Sequence, residues 1–362
     1  MNTQQEIILK INNLSISFTT FAGEVNAIRG IDLELHRGET MAIVGESGSG
    51  KSVTVKSILG IMDKNEHVRS GSILFTHKDE KGNMITEDLL KCKESVLQKR
   101  IRGKHIALVF QDPMTSLNPT MTIGAQIVES VLQQKGIRKA QAKQRAIELL
   151  QLVGITDAEK RFGNYPHQLS GGMRQRVVIA IALACEPDLL ICDEPTTALD
   201  VTVQAKILEL IQDIQRKKNL TVIYITHDLG VVARVADSVM VMYAGKLVEK
   251  GTVDDIFYQP AHPYTWGLLL SVPDVDEHTE KLYTIPGSPP NLLKVPAGDA
   301  FAPRNQYALA IDRCREAPMF VINEHHSAAT WLLHPDAPKV EMPDALKQRI
   351  RRMLEEVEQI HG

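Results

Sequence analysis

One stretch constrains this chain more than any other: Gly45-Glu46-Ser47-Gly48-Ser49-Gly50-Lys51-Ser52. The apolar run Met41-Ala42-Ile43-Val44 precedes it and reads as a buried strand; Val53-Thr54-Val55-Lys56-Ser57-Ile58-Leu59 follows and reads as a helix. Strand, glycine-rich loop and helix are the context in which a phosphate-binding loop works. Glycines allow a tight turn that points successive N–H groups at one anion, and the helix N-terminus adds its positive end. Lys51 can reach terminal phosphates and the Ser52 hydroxyl can ligate Mg²⁺.

The length of 362 residues allows two or three domains and a large core. A formal net charge of −3 gives no support to a nucleic-acid binder held by bulk charge. The N-terminus has no basic segment leading into an apolar stretch, so no signal peptide is expected. The longest apolar run, Val177 to Cys185, is too short to span a bilayer, and a soluble cytoplasmic protein is expected. Cys92, Cys185, Cys192 and Cys314 are scattered, which points to reduced structural thiols rather than disulfides or zinc.

Residues Ile7 to Phe18 and Val25 to Leu35 alternate apolar with polar, as half-buried strands do. An aromatic residue here could stack on a nucleobase; Phe18 is the first candidate and Phe21 the second, with a plain core role as the alternative. Beyond the loop, Ser72 to Phe75 reads as a strand, a helix is expected through Leu97, and His105 to Phe110 reads as another strand, ending at Gln111. A glutamine there can touch Mg²⁺ and an attacking water. Residues from about Thr115 to Gln168 look helical, with a packed face at Ile147, Leu149, Leu150, Leu152 and Val153.

Ser170 reads as the N-cap of a helix through Cys185, with Gly171 and Gly172 leaving the helix N-terminus bare for a second phosphate contact or simply capped. The buried-strand pattern Leu189 to Cys192 ends in Asp193 and Glu194. Adjacent acids at a buried strand's end imply something positive nearby. Asp193 suits Mg²⁺ through water, and Glu194 suits a general base. Asp200 precedes a helix from Val203 to Lys218, and the strand Val222 to Ile225 leads to His227, a candidate γ-phosphate contact.

The ordered set Gly45–Ser52, Gln111, Ser170-Gly171-Gly172, Asp193-Glu194, Asp200 and His227 resembles the nucleotide-binding subunit of an ABC transporter over roughly residues 6 to 260. The resemblance implies an α/β fold of the P-loop NTPase class with a RecA-like core, an N-terminal antiparallel β subdomain, an inserted helical subdomain at about 112–187 and a C-terminal extension. It implies ATP and Mg²⁺ as ligands. Gly45, Ser47 to Ser52, Val53, Asp193 and, from the base side, Phe18 would hold the nucleotide, with Ser52, Gln111 and Asp193 around the metal. Glu194, His227 and Gln111 would carry hydrolysis, while Ser170, Gly171, Gly172 and Asp200 would meet the nucleotide of a partner subunit. Met173 departs from the glutamine most common in the family at that position.

Residues 261–362 narrow the resemblance. Gln259 to Thr265, Ile285 to Pro290 and Gly298 to Asn305 are similar to the tail of the oligopeptide/dipeptide and nickel importer ATPases. That tail usually carries cysteines for an iron–sulfur cluster, but Asp299, Asn305 and Thr330 stand at the expected places and Cys314 alone could survive from the set, so no cluster is expected. Phe301, Tyr307, Phe320, Trp331 and Leu332 would hold the tail by packing, under a terminal helix with the stripe Leu346, Ile350, Met353, Leu354 and Val357. The implied partners are a second related ATPase in a heterodimer, two permease subunits and an extracellular binding protein, at the cytoplasmic face of a membrane, with no nucleic acid. The implied function is to energise oligopeptide import. The alternatives are a nickel or other small-solute importer, and a non-transport ABC ATPase in translation or DNA repair, which would usually carry two cassettes or a long coiled-coil insertion.

Overall fold

The computed structural model describes residues 6–134, 136–197, 199–272 and 283–361, with side chains throughout except at residues 113, 114 and 356–361. Two sheets organise the chain. The smaller is antiparallel, in the order β2-β1-β4-β5, built from β1 (Ile7–Thr20), β2 (Gly23–His36), β4 (Glu66–Lys78) and β5 (Met84–Asp88). The alternation read in β1 and β2 is real: Ile8, Ile11, Leu14, Ile16, Ile28, Ile31 and Leu33 are buried.

The larger sheet runs β6-β7-β8-β3-β9-β10-β12-β11. Its strands are β3 (Thr40–Val44), β6 (Ile106–Val109), β7 (Leu189–Asp193), β8 (Thr221–Ile225), β9 (Ser238–Tyr243), β10 (Lys246–Thr252), β11 (Phe320–Val321) and β12 (Ser327–Ala328). From β6 to β9 the pairing is parallel. Strands buried on both faces need no alternation, which is why β3, β7 and β8 read as continuous apolar runs. β3 lies between β8 and β9 although both follow it by far in sequence, so the strand order reverses there. Ligands of open α/β sheets bind at the carboxyl ends of strands beside such a reversal. The phosphate-binding loop, Gln111, the acid pair and His227 follow β3, β6, β7 and β8 at that edge.

Between β6 and β7 the chain forms short helices: Pro113–Ser116, Ile123–Val131, Lys139–Leu152, Ala158–Arg161 and Gly171–Ala182. Ile127, Val131, Ala146, Leu150 and Val177 unite them in one core that continues under the larger sheet. The helical reading of residues 115–168 is correct in type but overestimates continuity, since turns separate several short helices among the described residues there. The helix expected through Leu97 is a single turn at Glu94–Val96 followed by a widened turn at Leu97–Ile101.

The C-terminal extension is not a separate body. β12 pairs with β10 at Glu249 and Lys250, so the extension lengthens the larger sheet. Tyr264, Trp266, Phe301, Leu346 and Ile350 share one core with Val44, Val239, Val241 and Tyr243. Tyr307, Leu332 and Met353 pack on it half-buried, and Phe320 stands edge-on to Trp331. The helix Asp344–His361 covers this core with Leu346 and Ile350, whereas Leu354 is exposed and the Val357 side chain lies outside the described residues. Phe301 meets Tyr243 and Tyr264 with ring centroids 5.2 and 5.3 Å apart. Phe301→Ala is expected to cost about 3 kcal/mol or more in chemical denaturation, through lost burial and the cavity left behind. A loss below about 1 kcal/mol would mean that the extension contributes little to the common core.

Candidate functional site

A cleft of about 680 Å³ opens at the carboxyl edge of the larger sheet, lined by Ser47 to Val53, Gln111, Asp193, Glu194, Thr197 and His227, with Val25, Ala27 and Leu292 supplying apolar wall. The loop's shape depends on glycine, since Gly45, Gly48 and Gly50 all have positive φ. Gly45 has φ +147°, and a Cβ there would lie 2.1 Å from the Met242 carbonyl oxygen. Gly50, at φ +104°, immediately precedes the helix Lys51–Ile58 and provides no side-chain cap, so the first-turn N–H groups face the cleft uncapped. A Cβ on Gly48 would meet nothing within 4 Å, which leaves that part of the loop open to a ligand.

Lys51 is buried and donates to the carbonyls of Gly45, at 2.7 Å, and Glu46, at 3.0 Å. Burial lowers its pKa, opposed by the charges of Glu194, Asp193 and Glu46. Opposite, Ser52 hydrogen-bonds the Asp193 carboxylate. The Ser49 hydroxyl is buried without a protein partner among the described residues. A desolvated lysine, bare helix N–H groups and an orphan hydroxyl suit a polyphosphate. The adjacent Ser52 and Asp193 oxygens suit the hard cation that accompanies one.

Glu194 occupies a left-handed backbone conformation, φ +45°, costly for a residue with a side chain. Its N–H donates to the Ile225 carbonyl at 2.9 Å, which ties the bend to β8. The carboxylate is gripped on both oxygens: His227 Nδ1 lies 3.0 Å from Oε1, while Gln111 Nε2 and the Thr197 hydroxyl each donate to Oε2 at 3.1 Å. Three strand ends thus converge on one carboxylate, the arrangement a general base needs to be held in place. Thr197 was not anticipated from sequence; its only signal is its place in the turn after Pro195.

Ser170, Gly171, Gly172 and Asp200 do not line this cleft. Ser170 Oγ caps its helix by accepting from Met173 N, and Asp200 caps Val201–Lys218 by accepting from Val203 N at 2.9 Å. A Cβ on Gly172 would lie 2.5 Å from Val203, so the two helix starts pack closely. Phe18 is half-buried against the core beneath β1 and lies opposite the cleft-lining Val25 in the β1–β2 register, without itself lining the cleft. Phe21 sits fully exposed in the turn between β1 and β2.

In the extension, the Asp299 carboxylate accepts from Phe301 N and the Asn305 side chain from Tyr307 N, each at 2.9 Å, and Thr330 Oγ1 accepts from Leu332 N. These side chains close local turns, and Cys314 is exposed. One thiol among hard oxygen donors does not fit an iron–sulfur cluster.

Burial, with Glu194 alongside, pushes the Asp193 carboxyl above its usual range, against the Ser52 hydrogen bond and Lys51. A raised folded-state pKa means that the stability this group contributes is present at low pH and lost as pH rises through its titration. Asp193→Asn is therefore expected to raise the thermal midpoint of the nucleotide-free protein by about 2 °C near neutral pH, with the gain vanishing toward about pH 4. A lowered midpoint at neutral pH would contradict this account of the site.

Residues 28–197 match the ABC transporter family, and residues 248–314 match the oligopeptide/dipeptide transporter C-terminal region. The chain is 56% identical over 348 residues to the oligopeptide transport ATP-binding protein OppD of Bacillus subtilis (strain 168), covering 96% of this chain and 94% of that one. It is 54% identical to the dipeptide transport ATP-binding protein DppD of Lactococcus lactis subsp. cremoris (strain MG1363), covering 97% and 98%. Among solved structures it is similar to the dimeric post-hydrolysis state of the ATP-binding cassette MJ0796 bound to ADP and Pi, with a TM-score of 0.58 and 25% identity over 68% of this chain and 99% of that one. Likeness over nearly the full length, joined to a cassette and an extension both matched in order, shows that the chain belongs to the family of oligopeptide and dipeptide transport ATP-binding proteins.

Proposed function

We propose that this chain binds and hydrolyses ATP and thereby energises import of oligopeptides through a membrane transporter. The observation that carries the reading is the Glu194 carboxylate, held by Gln111, Thr197 and His227 beside the phosphate-binding loop. Lys51 would exchange its loop carbonyls for the terminal phosphates. Ser52, Asp193 and Gln111 would hold Mg²⁺, which supplies charge neutralisation on the phosphate oxygens when bound. Glu194 would orient and polarise the attacking water, while His227 would leave Glu194 to contact the γ-phosphate. Positioning and electrostatics supply most of phosphoryl-transfer catalysis, so a base already fixed by three partners suits the task.

Ser170, Gly171, Gly172 and Asp200, which lie away from the chain's own cleft, would meet the nucleotide of a second, related ATPase. Coupling to the membrane would begin at Gln111. Its neighbour Phe110 lines a separate groove of about 520 Å³, with Ile61, Leu108, Val178 and Ile181, between the sheet and the helical subdomain. A permease segment docked there would be one residue away from the nucleotide cleft. Among the described residues no helix is long and apolar enough to cross a membrane, which agrees with a peripheral subunit on two permease chains, fed by an extracellular binding protein. The site of action would be the cytoplasmic face. The extension would be held by packing, without an iron–sulfur cluster. The named relatives handle oligopeptides and dipeptides, which favours peptide over nickel or other small solutes and over a non-transport ATPase.

Glu194→Gln keeps shape and removes the base. In the assembled transporter, ATP binding should persist while turnover falls by about two orders of magnitude or more. Unchanged turnover, with the partner ATPase's equivalent glutamate also replaced, would sink the assignment. Ser170→Arg should leave ATP affinity of the isolated chain intact and block nucleotide-driven pairing with the second ATPase, measured by size-exclusion chromatography. Loss of the chain's own ATP binding would refute the cross-subunit role.

A further inference from the structure

The phosphate-binding loop is held from outside the cassette. Arg304, whose side chain is 4% exposed, grips both oxygens of the Glu46 carboxylate, with Nη1 donating to Oε2 at 2.6 Å and Nη2 to Oε1 at 3.0 Å. Its remaining donors are also engaged: Nε to the Pro286 carbonyl, Nη2 to the Ile285 carbonyl and Nη1 to the Tyr243 hydroxyl. All five guanidinium N–H groups therefore have acceptors, and the fork cannot rotate without losing several at once. The Glu46 backbone is held as well, since its N–H donates to the Tyr264 hydroxyl at 2.8 Å. Glu46 is in turn one of the two residues whose carbonyls receive Lys51. The limb of the loop on which Lys51 rests is thus positioned by Tyr264 and Arg304, more than 200 residues further along the chain.

The same extension reaches the cleft itself. The Leu292 carbonyl accepts from Asn26 N on β2, and its side chain joins Val25 and Ala27 as the apolar lining. β2 runs beside the loop, for a Cβ on Gly50 would lie 3.0 Å from the Ala27 carbonyl oxygen. Base and ribose are the parts of a nucleotide that can use an apolar wall, and Val25, Ala27 and Leu292 are its apolar residues here.

We propose that the C-terminal extension completes the nucleotide site in cis, with Arg304 and Tyr264 as positioning residues that set the phosphate-binding loop through Glu46 and Leu292 as a direct wall against base and ribose. The inference rests on the reading of the cleft as an ATP site and deepens it. Its consequence is that the extension tunes nucleotide affinity rather than merely lengthening the sheet.

Calorimetric titration of the full chain with Mg²⁺–ATP and with Mg²⁺–tripolyphosphate, which has no base, separates the two roles. Leu292→Ala is expected to weaken ATP about fivefold and leave tripolyphosphate unchanged, since only apolar contact is removed. Arg304→Met is expected to weaken both ligands about tenfold or more, because the loop limb loses its anchor and Glu46 is left unpaired. Arg304→Lys, which keeps the charge and loses the fork, should fall between Arg304→Met and the wild type. Val321→Ser, at an exposed position of the extension, should change neither. ATP affinity within about twofold of wild type in Leu292→Ala and in both Arg304 variants would overturn the inference, as would equal losses for ATP and tripolyphosphate in Leu292→Ala. If Arg304→Met does not fold, Leu292→Ala and Arg304→Lys decide the matter. A wild-type chain that binds neither ligand would instead overturn the reading of the cleft, and the inference with it.

Discussion

The whole arrangement depends on how closely the chain passes under itself at Gly45. β3 is buried along its full length between β8 and β9, and at its end the backbone turns beneath the Met242 carbonyl. A side chain there would occupy the space of that oxygen. Only because the turn is this tight does the loop fold back over the sheet edge, bringing Lys51 to the carbonyls of Gly45 and Glu46 and Ser52 to Asp193. The neighbouring strands then deliver their terminal residues to the same edge, as parallel pairing requires of strands that run in one direction.

Charge distribution at that edge is arranged for a guest. Lys51 is held below its ordinary pKa by burial, and Asp193 above its ordinary value by burial and by Glu194. Both shifts express the cost of charged groups with incomplete solvation, and both would be relieved by a polyphosphate with its cation. Functional sites are where such unfavourable placements concentrate, and the left-handed backbone at Glu194 belongs with them. The strain is supported by the rest of the fold: the Glu194 N–H is tied to β8, and its carboxylate is tied to residues following β6, β7 and β8.

The extension changes what counts as the cassette. Its strand β12 continues the larger sheet, its aromatic residues share a core with β3 and β9, and its arginine holds the loop. A division near residue 260 describes where the sequence motifs change, and the structure carries one core across it. Cys192 is buried in β7, Cys92 and Cys185 are partly buried in the body, Cys314 is exposed in the extension, and all four are free thiols.

Much of the site was legible because its residues are set by local geometry. A loop of glycines between an apolar strand and a helix, an acid pair at the end of a buried strand, and a serine or aspartate at a helix start each leave a short-range pattern. The structure places Lys51, Ser52, Gln111, Asp193, Glu194 and His227 around one cleft, and Ser170 and Asp200 at helix caps. What the pattern could not carry was the choice among distant partners. Nothing near Leu292 or Arg304 in sequence points to β2 or to Glu46. The sequence alone determined the strand–loop–helix and the family. Only the tertiary structure decided which side chains of the extension line the cleft and which cation holds Glu46, because those contacts join residues hundreds of positions apart and depend on how sheet and extension pack rather than on any local periodicity.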